Sequence, residues 1–340
     1  MVCDGPKVNI AMMRKLGATI SIDSTDTQIL QDLDSPPIQI IHDMAHMIKN
    51  VRNTWGAIKF FKNSEDGIID WNFIVKLHAL QSREQLRCAN KLTDKHINYG
   101  NYKMRVSLAV QVLSRSVAVS LKFHREVLKD PDFKNSEATE EFLLMMNNIF
   151  DLLNSRSSKG KGYNNPLRFS NQHHWRIYFE EVKEYLLGLT NLETGPHLVQ
   201  NDSKRTGFLG IYCNIIAFTR IFDDLVAHGP LYYIMTYKMS QDQLEHYFGL
   251  VHARFGPNNN PTPLQFKSIY RRLLLGVTNT IVKDSNVLLQ DNSELVAVIP
   301  SVQDRIDYVC ETYDLDDTNF NMINECTLSG KKIDFCCNFS

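Results

Sequence analysis

Apolar side chains recur at helical spacing through most of this chain and shrink to short runs only near its start. Val2-Cys3 reads as the end of a strand with Asp4 at its tip, and Asn9 is placed to cap a helix running to Gly17. After a Pro36-Pro37 break, Ile38-Gln39-Ile40-Ile41 reads as a second short buried strand. Residues 43–61 then put Met44, Met47, Ile48 and Val51 on one helical side, with His46, Lys49, Arg52 and Asn53 stepping along the other. That basic row reads either as a solvated helix face or as the lining of a groove for phosphates. Segments 71–88, 104–128, 137–153, 173–188 and 206–227 each carry helical apolar periodicity, and from Trp71 to Tyr237 the pattern is almost wholly helical. Loops rich in Ser, Gly, Asn and Pro part some of them, notably Ser155–Pro166, whose lysines and glycines form either a flexible basic loop or a phosphate loop. Near residue 240 the pattern predicts one more helix: Ser240 as N-cap, Gln243 completing a capping box, and Leu244, Tyr247, Phe248 and Val251 as a buried stripe. Asp242 and Glu245 share its first turn, a position that suits acids because the backbone amides there favour negative charge. Past residue 276 the periodicity thins into polar runs such as Asp314–Asn321. The pattern predicts a mainly α chain with a small α/β part.

Composition adds limits. At 340 residues the chain exceeds the roughly 250–300 at which single cores stop growing, so more than one domain is expected. Hydrophobic content of 43% and charged content of 22% are ordinary for a globular protein. A formal net charge of −1 gives no global signature of nucleic-acid binding, so any contact with DNA has to rest on local patches. The seven cysteines, at 3, 88, 213, 310, 326, 336 and 337, are odd in number and dispersed, which predicts reduced thiols inside a cell. No unbroken apolar run approaches the roughly 18 residues that span a membrane, and no signal peptide opens the chain.

Several segments then carry a resemblance. Met239-Ser240-Gln241-Asp242-Gln243-Leu244-Glu245, Asn258-Asn259-Asn260-Pro261-Thr262, Gln265-Phe266 and Tyr270-Arg271-Arg272-Leu273-Leu274 stand together. Upstream, in order, come Cys3-Asp4-Gly5 with Asn9 and Leu16-Gly17, and then Asp43, His46, Lys49, Arg52 and Asn53 at three-residue steps. Asn90-Lys91-Leu92-Thr93 with His96-Ile97, Phe150 through Arg156, and Thr206 through Gly210 follow. In this order they resemble P-element-type DNA transposases, which include the THAP-domain transposase-like proteins of animals. The likeness runs from residue 2 to about residue 275.

The resemblance implies a partial RNase H-like core interrupted by a large all-helical insertion that binds guanine nucleotide. It places the core at 1–62, the insertion at 63–237, a return to the core at 238–285 and a poorly defined region at 286–340. In that scheme Asp4 and Glu245 are the catalytic carboxylates, and with Asp242 they hold Mg²⁺ or Mn²⁺, hard ions that suit oxygen ligands. Lys91, Arg105, Val106, Asp151, Asn154 and Asp242 would contact GTP, Asp151 accepting from the guanine edge. No Gly-x-x-x-x-Gly-Lys-Ser/Thr loop is present, which argues against an ordinary P-loop site. His46, Lys49, Arg52, His252 and Arg254 become candidates for DNA. The family more usually has arginine at the place of His252 and two glycines where Phe255-Gly256 stand, which puts that local contact in question. The scheme also expects earlier strands, a first acid and a zinc module upstream, so the chain reads as a fragment. Implied partners are DNA (transposon ends and target), GTP and a further copy of the chain, in the nucleus and without a membrane. A rival reading is a domesticated or decayed derivative that binds nucleotide, DNA or partners without cutting. Another is an unrelated helical scaffold.

Overall fold

Two short parallel strands organise the start of the protein, described here from a computed structural model. It describes residues 1–5, 7–20, 25–29, 36–84, 90–193, 195, 197–199, 205–253 and 261–275. The elements are β1 (Val2–Cys3), α1 (Lys7–Lys15), β2 (Gln28–Ile29), β3 (Ile38–Gln39), β4 (Ile41–His42), α2 (Met44–Ile58), β5 (Phe60–Lys62), β6 (Ile68–Asp70), α3 (Asn72–Glu84) and α4 (Asp94–Ile97). They continue with α5 (Val106–Val112), α6 (Arg115–Lys122), α7 (Glu137–Leu153), β7 (Leu167–Arg168), α8 (Gln172–Gly188), β8 (Thr190–Asn191), α9 (Thr206–Phe222), β9 (Tyr233–Ile234), α10 (Asp242–Ala253) and α11 (Pro263–Leu275). The chain forms two units, Met1–Ser240 and Gln241–Ser340. The regions expected at 286–340, with Cys310, Cys326, Cys336 and Cys337, lie outside the described residues.

β1 and β4 pair in parallel, with Val2 opposite Ile41 and Cys3 opposite His42. Ile41 N–H donates to Met1 O and Asp43 N–H to Cys3 O, so the His42 backbone points away from β1. That outer edge meets a side chain from far along the chain. His42 N–H donates to Asn214 Oδ1 and Asn214 Nδ2 donates to His42 O, both at 2.7 Å. A carboxamide thus pairs both backbone groups of a buried residue, as a neighbouring strand would. The expected strand Ile38–Ile41 is divided: Ile38–Gln39 pairs antiparallel with β2, and the chain changes partner at Ile40.

α9, which carries Asn214, packs along α2. Gly207 permits this approach, since a Cβ there would lie 2.7 Å from Val51 N. Edge-to-face rings fill the space beyond: Trp55 with Trp71 at 5.0 Å and with Phe142 at 5.3 Å, and Phe61 with Phe142 at 5.2 Å. This core joins α2, β5, the start of α3, and α7. β5 also pairs with β6 and β8 in a three-stranded antiparallel sheet, so strand pairing crosses the division expected between residues 62 and 63. Within residues 71–237 the named strands are the two-residue β7, β8 and β9, which add short pairings to a segment otherwise built of helices.

Other departures have local causes. The helix expected over 104–128 breaks at Leu113-Ser114, because Ser114 caps α6 by accepting from Val117 N–H. A single π turn, Phe123–Val127, follows. By length and mean hydropathy (1.3), Val106–Val127 is the one stretch among the described residues apolar enough to cross a membrane. Its two helices are interrupted, and Ala109, Val112, Val117, Ala118 and Leu121 are buried. Cys3 and Cys213 are free and buried, and burial pushes both thiols up to about 12.

Removing the Asn214 carboxamide leaves one buried donor and one buried acceptor unpaired. Asn214→Ala is expected to lose about 3 kcal/mol of stability, on the scale of such orphaned groups, read as a lower midpoint in urea denaturation. Asn214→Leu, which restores volume but not the bonds, should not recover it.

Candidate functional site

Asp4 stands at the carboxyl end of a parallel strand, where open α/β sheets gather their sites. Its Oδ1 accepts from Asn9 Nδ2 at 2.8 Å, and its Oδ2 lies 3.7 Å from His46 Nδ1. Asn9 therefore holds Asp4 and is not a cap, because α1 already begins at Lys7. The Asp4 side chain is 35% exposed and that of His46 16%. Asp43 ends the neighbouring strand and caps α2, accepting from Ala45 N–H at 2.8 Å. As a hard oxygen donor, the accessible Asp4 carboxylate fits Mg²⁺ or Mn²⁺ in kind. Among the described residues, no group of three or more His, Cys, Asp or Glu is placed to hold one.

The basic row along α2 is not a solvated face. Lys49 is 5% exposed and Arg52 0%. The Arg52 guanidinium lies 4.7 Å over the Tyr99 ring, and its Nη2 donates to the carbonyls of Tyr102 and Lys103 at 3.3 Å. Arg52 is thereby corrected from a DNA-facing residue to a packed one, since a guanidinium without surface cannot reach a phosphate. Burial pulls its pKa down to about 10, still charged at neutral pH, while Nη1 has no hydrogen-bond partner.

Around that buried charge lie further cations. Lys95 and Arg105 approach the Tyr102 ring, at 5.7 and 5.3 Å from its centre. Arg105 occupies the N-cap position of α5, which begins at the half-buried Val106. Lys91 projects outward between two buried anchors, Leu92 and Asn90, the latter donating to Ser120 Oγ. His96 locks the loop that follows. Its Nδ1 accepts from Thr93 N–H at 3.0 Å, which leaves Nε2–H to donate to Gln111 Oε1 at 2.8 Å. Burial, with Arg52 and His78 nearby, lowers its pKa. A cationic surface backed by an uncompensated guanidinium fits an anionic ligand such as a nucleotide phosphate.

Asp151 is half-buried on the last turn of α7, accepting from Asn147 Nδ2 at 3.0 Å; burial raises its pKa. Asn154 follows as the C-cap of that helix. Lys91 and Arg105 are thus built around α4 and α5, and Asp151 and Asn154 at the end of α7.

In the second unit α10 begins at Asp242, one residue later than a Ser240 cap predicts, with Glu245 N–H donating to Gln241 O at 2.9 Å. Asp242 is buried and Glu245 half-buried. The expected stripe is only partly buried: Val251 is enclosed, whereas Leu244 is 51% exposed. Phe248 stacks on Phe266 of α11. Thr262 and Gln265 form the reciprocal cap of α11, Thr262 N–H donating to Gln265 Oε1 and Gln265 N–H to Thr262 Oγ1. His252 is exposed on α10, and Arg254 lies outside the described residues.

Sequence reasoning missed Asn214, the Asn9 clasp and the His96 lock. His96 stood in a quoted segment without a role, and nothing near Asn214 points to a partner 172 residues away.

Comparison with known proteins gives concordant matches. The family model "TNP-like, GTP-binding insertion domain" matches residues 45–166, a span that includes Lys91, Arg105, Val106, Asp151 and Asn154. "TNP-like, RNase H C-terminal domain" matches residues 237–271, which include Asp242, Glu245 and His252. DNA transposase THAP9 of Homo sapiens is 30% identical over 280 residues, 79% of this chain and 30% of that protein. Transposable element P transposase of Drosophila melanogaster is 28% identical over 286 residues, 83% of this chain and 36% of that protein. The chain spans about a third of the length of these curated relatives. The solved Drosophila P element transposase strand transfer complex aligns with a TM-score of 0.68 at 25% identity, covering 81% of this chain and 59% of its own.

His42 and His96 predict acid sensitivity. Burial lowers the His42 pKa from 6.5 to about 4 and lowers that of His96. Below about pH 6.5 the unfolded chain takes up protons that the folded one refuses, so stability rises with pH. The stability held at neutral pH is therefore lost as pH falls from about 6.5 towards the depressed folded values. Denaturation midpoints between pH 7.5 and 4.5 should fall on acidification, and His96→Asn should flatten part of that fall.

Proposed function

This chain belongs to the P-element-type transposase family, and on that premise we propose that it works in cut-and-paste DNA transposition, with GTP as a bound cofactor. The observation that carries the reading is the GTP-binding insertion match over residues 45–166, a span in which Lys95 and Arg105 both approach the Tyr102 ring. In this reading residues 63–237 form the insertion, and residues 1–62 and 238–285 supply the RNase H-like parts. Lys91 and Arg105 face nucleotide phosphates, Val106 packs beside the nucleotide, and Asp151 with Asn154 accepts from or donates to the guanine edge. Asp242 is assigned, with these residues, to the nucleotide and its metal ion.

Asp4 in the first unit and Glu245 in the second are the carboxylates we assign to strand cleavage and transfer. Those acids would hold Mg²⁺ or Mn²⁺, which would supply activation of the attacking oxygen and relief of charge on the leaving one. His46 and Asn9 orient Asp4: Asn9 fixes Oδ1, and His46 faces Oδ2. His252 and Arg254 remain assigned to DNA contact; Lys49, 5% exposed, is withdrawn with Arg52, since a buried ammonium cannot reach a phosphate. The partners of this reading are DNA at transposon ends and target, GTP and a second copy of the chain, acting in the nucleus. A non-cutting derivative that binds GTP, DNA or partners is the second reading.

GTP at a hundredfold excess over its Kd should raise stability by about 3 kcal/mol, read as a rise in thermal midpoint, whereas ATP should not. Asp151→Asn should abolish the GTP shift while leaving the unliganded midpoint unchanged or slightly higher, because it relieves a carboxylate that burial disfavours. Equal shifts with GTP and ATP, or none, would sink the nucleotide reading. Nicking of duplex DNA with Mg²⁺ that disappears in Glu245→Ala would exclude the non-cutting derivative; no nicking by the wild-type chain would favour it.

A further inference from the structure

Between Asp151 and Glu180 the chain has no acidic residue but carries Arg156, Lys159, Lys161, Arg168 and Arg176, in a protein whose formal net charge is −1. Arg176 pairs with Asp223. The other four are gathered, with Lys238, on one anchored loop. Ser155 is fully buried: its N–H donates to Thr236 Oγ1 at 2.8 Å, its hydroxyl to Asn164 O at 2.8 Å, and its carbonyl accepts from Tyr237 N–H at 3.3 Å. Pairing of β7 with β9 sets Arg168 opposite Tyr233.

The loop has a defined shape. Lys159 N–H donates to Ser157 Oγ at 3.2 Å and Asn164 N–H to Lys161 O at 3.2 Å. A Cβ at Gly160 would fall 2.0 Å from Asn164 O, and Gly162 has φ +59°, so the two glycines between and after the lysines are demanded by the turn. Tyrosines order the cations. The Arg168 guanidinium lies 4.7 Å over the Tyr233 ring while Nη2 donates to Ser158 O at 2.6 Å. Arg156 and Lys238 approach the Tyr237 ring at 5.8 and 5.3 Å. Arg156, Lys159, Lys161 and Lys238 are exposed, and Arg168 is half-buried.

We propose that Arg156, Lys159, Lys161, Arg168 and Lys238 form a binding surface for the phosphate backbone of DNA. An acid-free segment held in one shape presents exposed positive charge at a low ordering cost, and guanidinium and ammonium groups suit phosphate oxygens. Phosphate contacts carry no sequence information, so a contact of this kind is independent of sequence. The inference rests on the transposase reading, which supplies DNA as the polyanion.

The test is fluorescence anisotropy of a labelled DNA duplex with the full 340-residue chain across a salt series. The wild type is compared with Lys159→Glu/Lys161→Glu/Lys238→Glu and with the milder Lys159→Ala/Lys161→Ala, both checked for an unchanged circular dichroism melt. The dependence of log K on log salt should be shallower by about 0.9 for each phosphate contact removed, hence by about 2 in the double variant and about 3 in the triple. The loss should be equal on unrelated sequences, with the GTP-induced thermal shift intact. Wild-type binding with unchanged slopes in both variants overturns the inference and leaves the family function standing. Loss of the GTP shift with DNA binding retained assigns the loop to nucleotide phosphates and also overturns it. Loss of binding to phosphatidylserine vesicles with DNA binding retained does the same. Absence of DNA binding by the wild type overturns both the inference and the DNA-processing function.

Discussion

Two hydrogen bonds between the Asn214 carboxamide and the His42 backbone underlie the geometry of the first unit. A two-stranded parallel sheet has an exposed edge, and an edge buried without partners costs as much as the hydrogen bonds it lacks. Here that edge is closed from α9. Closing it brings α9 along α2, where Gly207 lets the backbones approach, and the ring cluster around Trp55, Trp71 and Phe142 fills the remaining space. The ends of β1 and β4 are then fixed, which places Asp4 and Asp43 on adjacent strands and lets Asp43 start α2. A helix more than 170 residues later thus sets the position of the first candidate acid.

Much of the helical architecture is legible in the sequence because burial on one face imposes periodicity. α7 and α8 fall at or within one residue of the segments predicted from apolar spacing. Less legible are features decided by single polar contacts. Ser114 ends one helix by capping the next, and Ile40 marks a change of strand partner within the run Ile38–Ile41. The basic row of α2 shows the limit for candidate sites. Residue type places a charge on a helix side, but whether that side meets water depends on what packs over it. Tyr99 and the 102–103 carbonyls enclose Arg52, and no local pattern announces them.

Many residues that carry the family resemblance perform structural tasks. Asp43 caps α2, Gly207 admits α9, and Thr262 with Gln265 caps α11. His96 ties Thr93 to Gln111. Caps and close approaches tolerate few residue types, because each needs an oxygen acceptor at one place or the absence of a side chain at another. Such positions report the fold well and the chemistry only indirectly. Asp4, Lys91 and Arg105 are different: each projects accessible polar atoms from a backbone that other residues hold.

α2 connects these two levels. Its first turn carries His46 against Asp4, and two turns on it carries Arg52 beneath the loop bearing Tyr102 and Arg105. At about 1.5 Å per residue the two positions lie about 9 Å apart along the axis. The intervening helix is buried at Met47, Ile48, Lys49 and Val51, so it behaves as a packed strut. A buried guanidinium whose hydrogen-bond partners are all neutral holds its place only because the surrounding packing fixes it. The same packing keeps the cationic loop and the strand-end acid at a set spacing. The arrangement therefore positions Asp4 and the cations around Tyr102 relative to one another through rigidity and not through a switch.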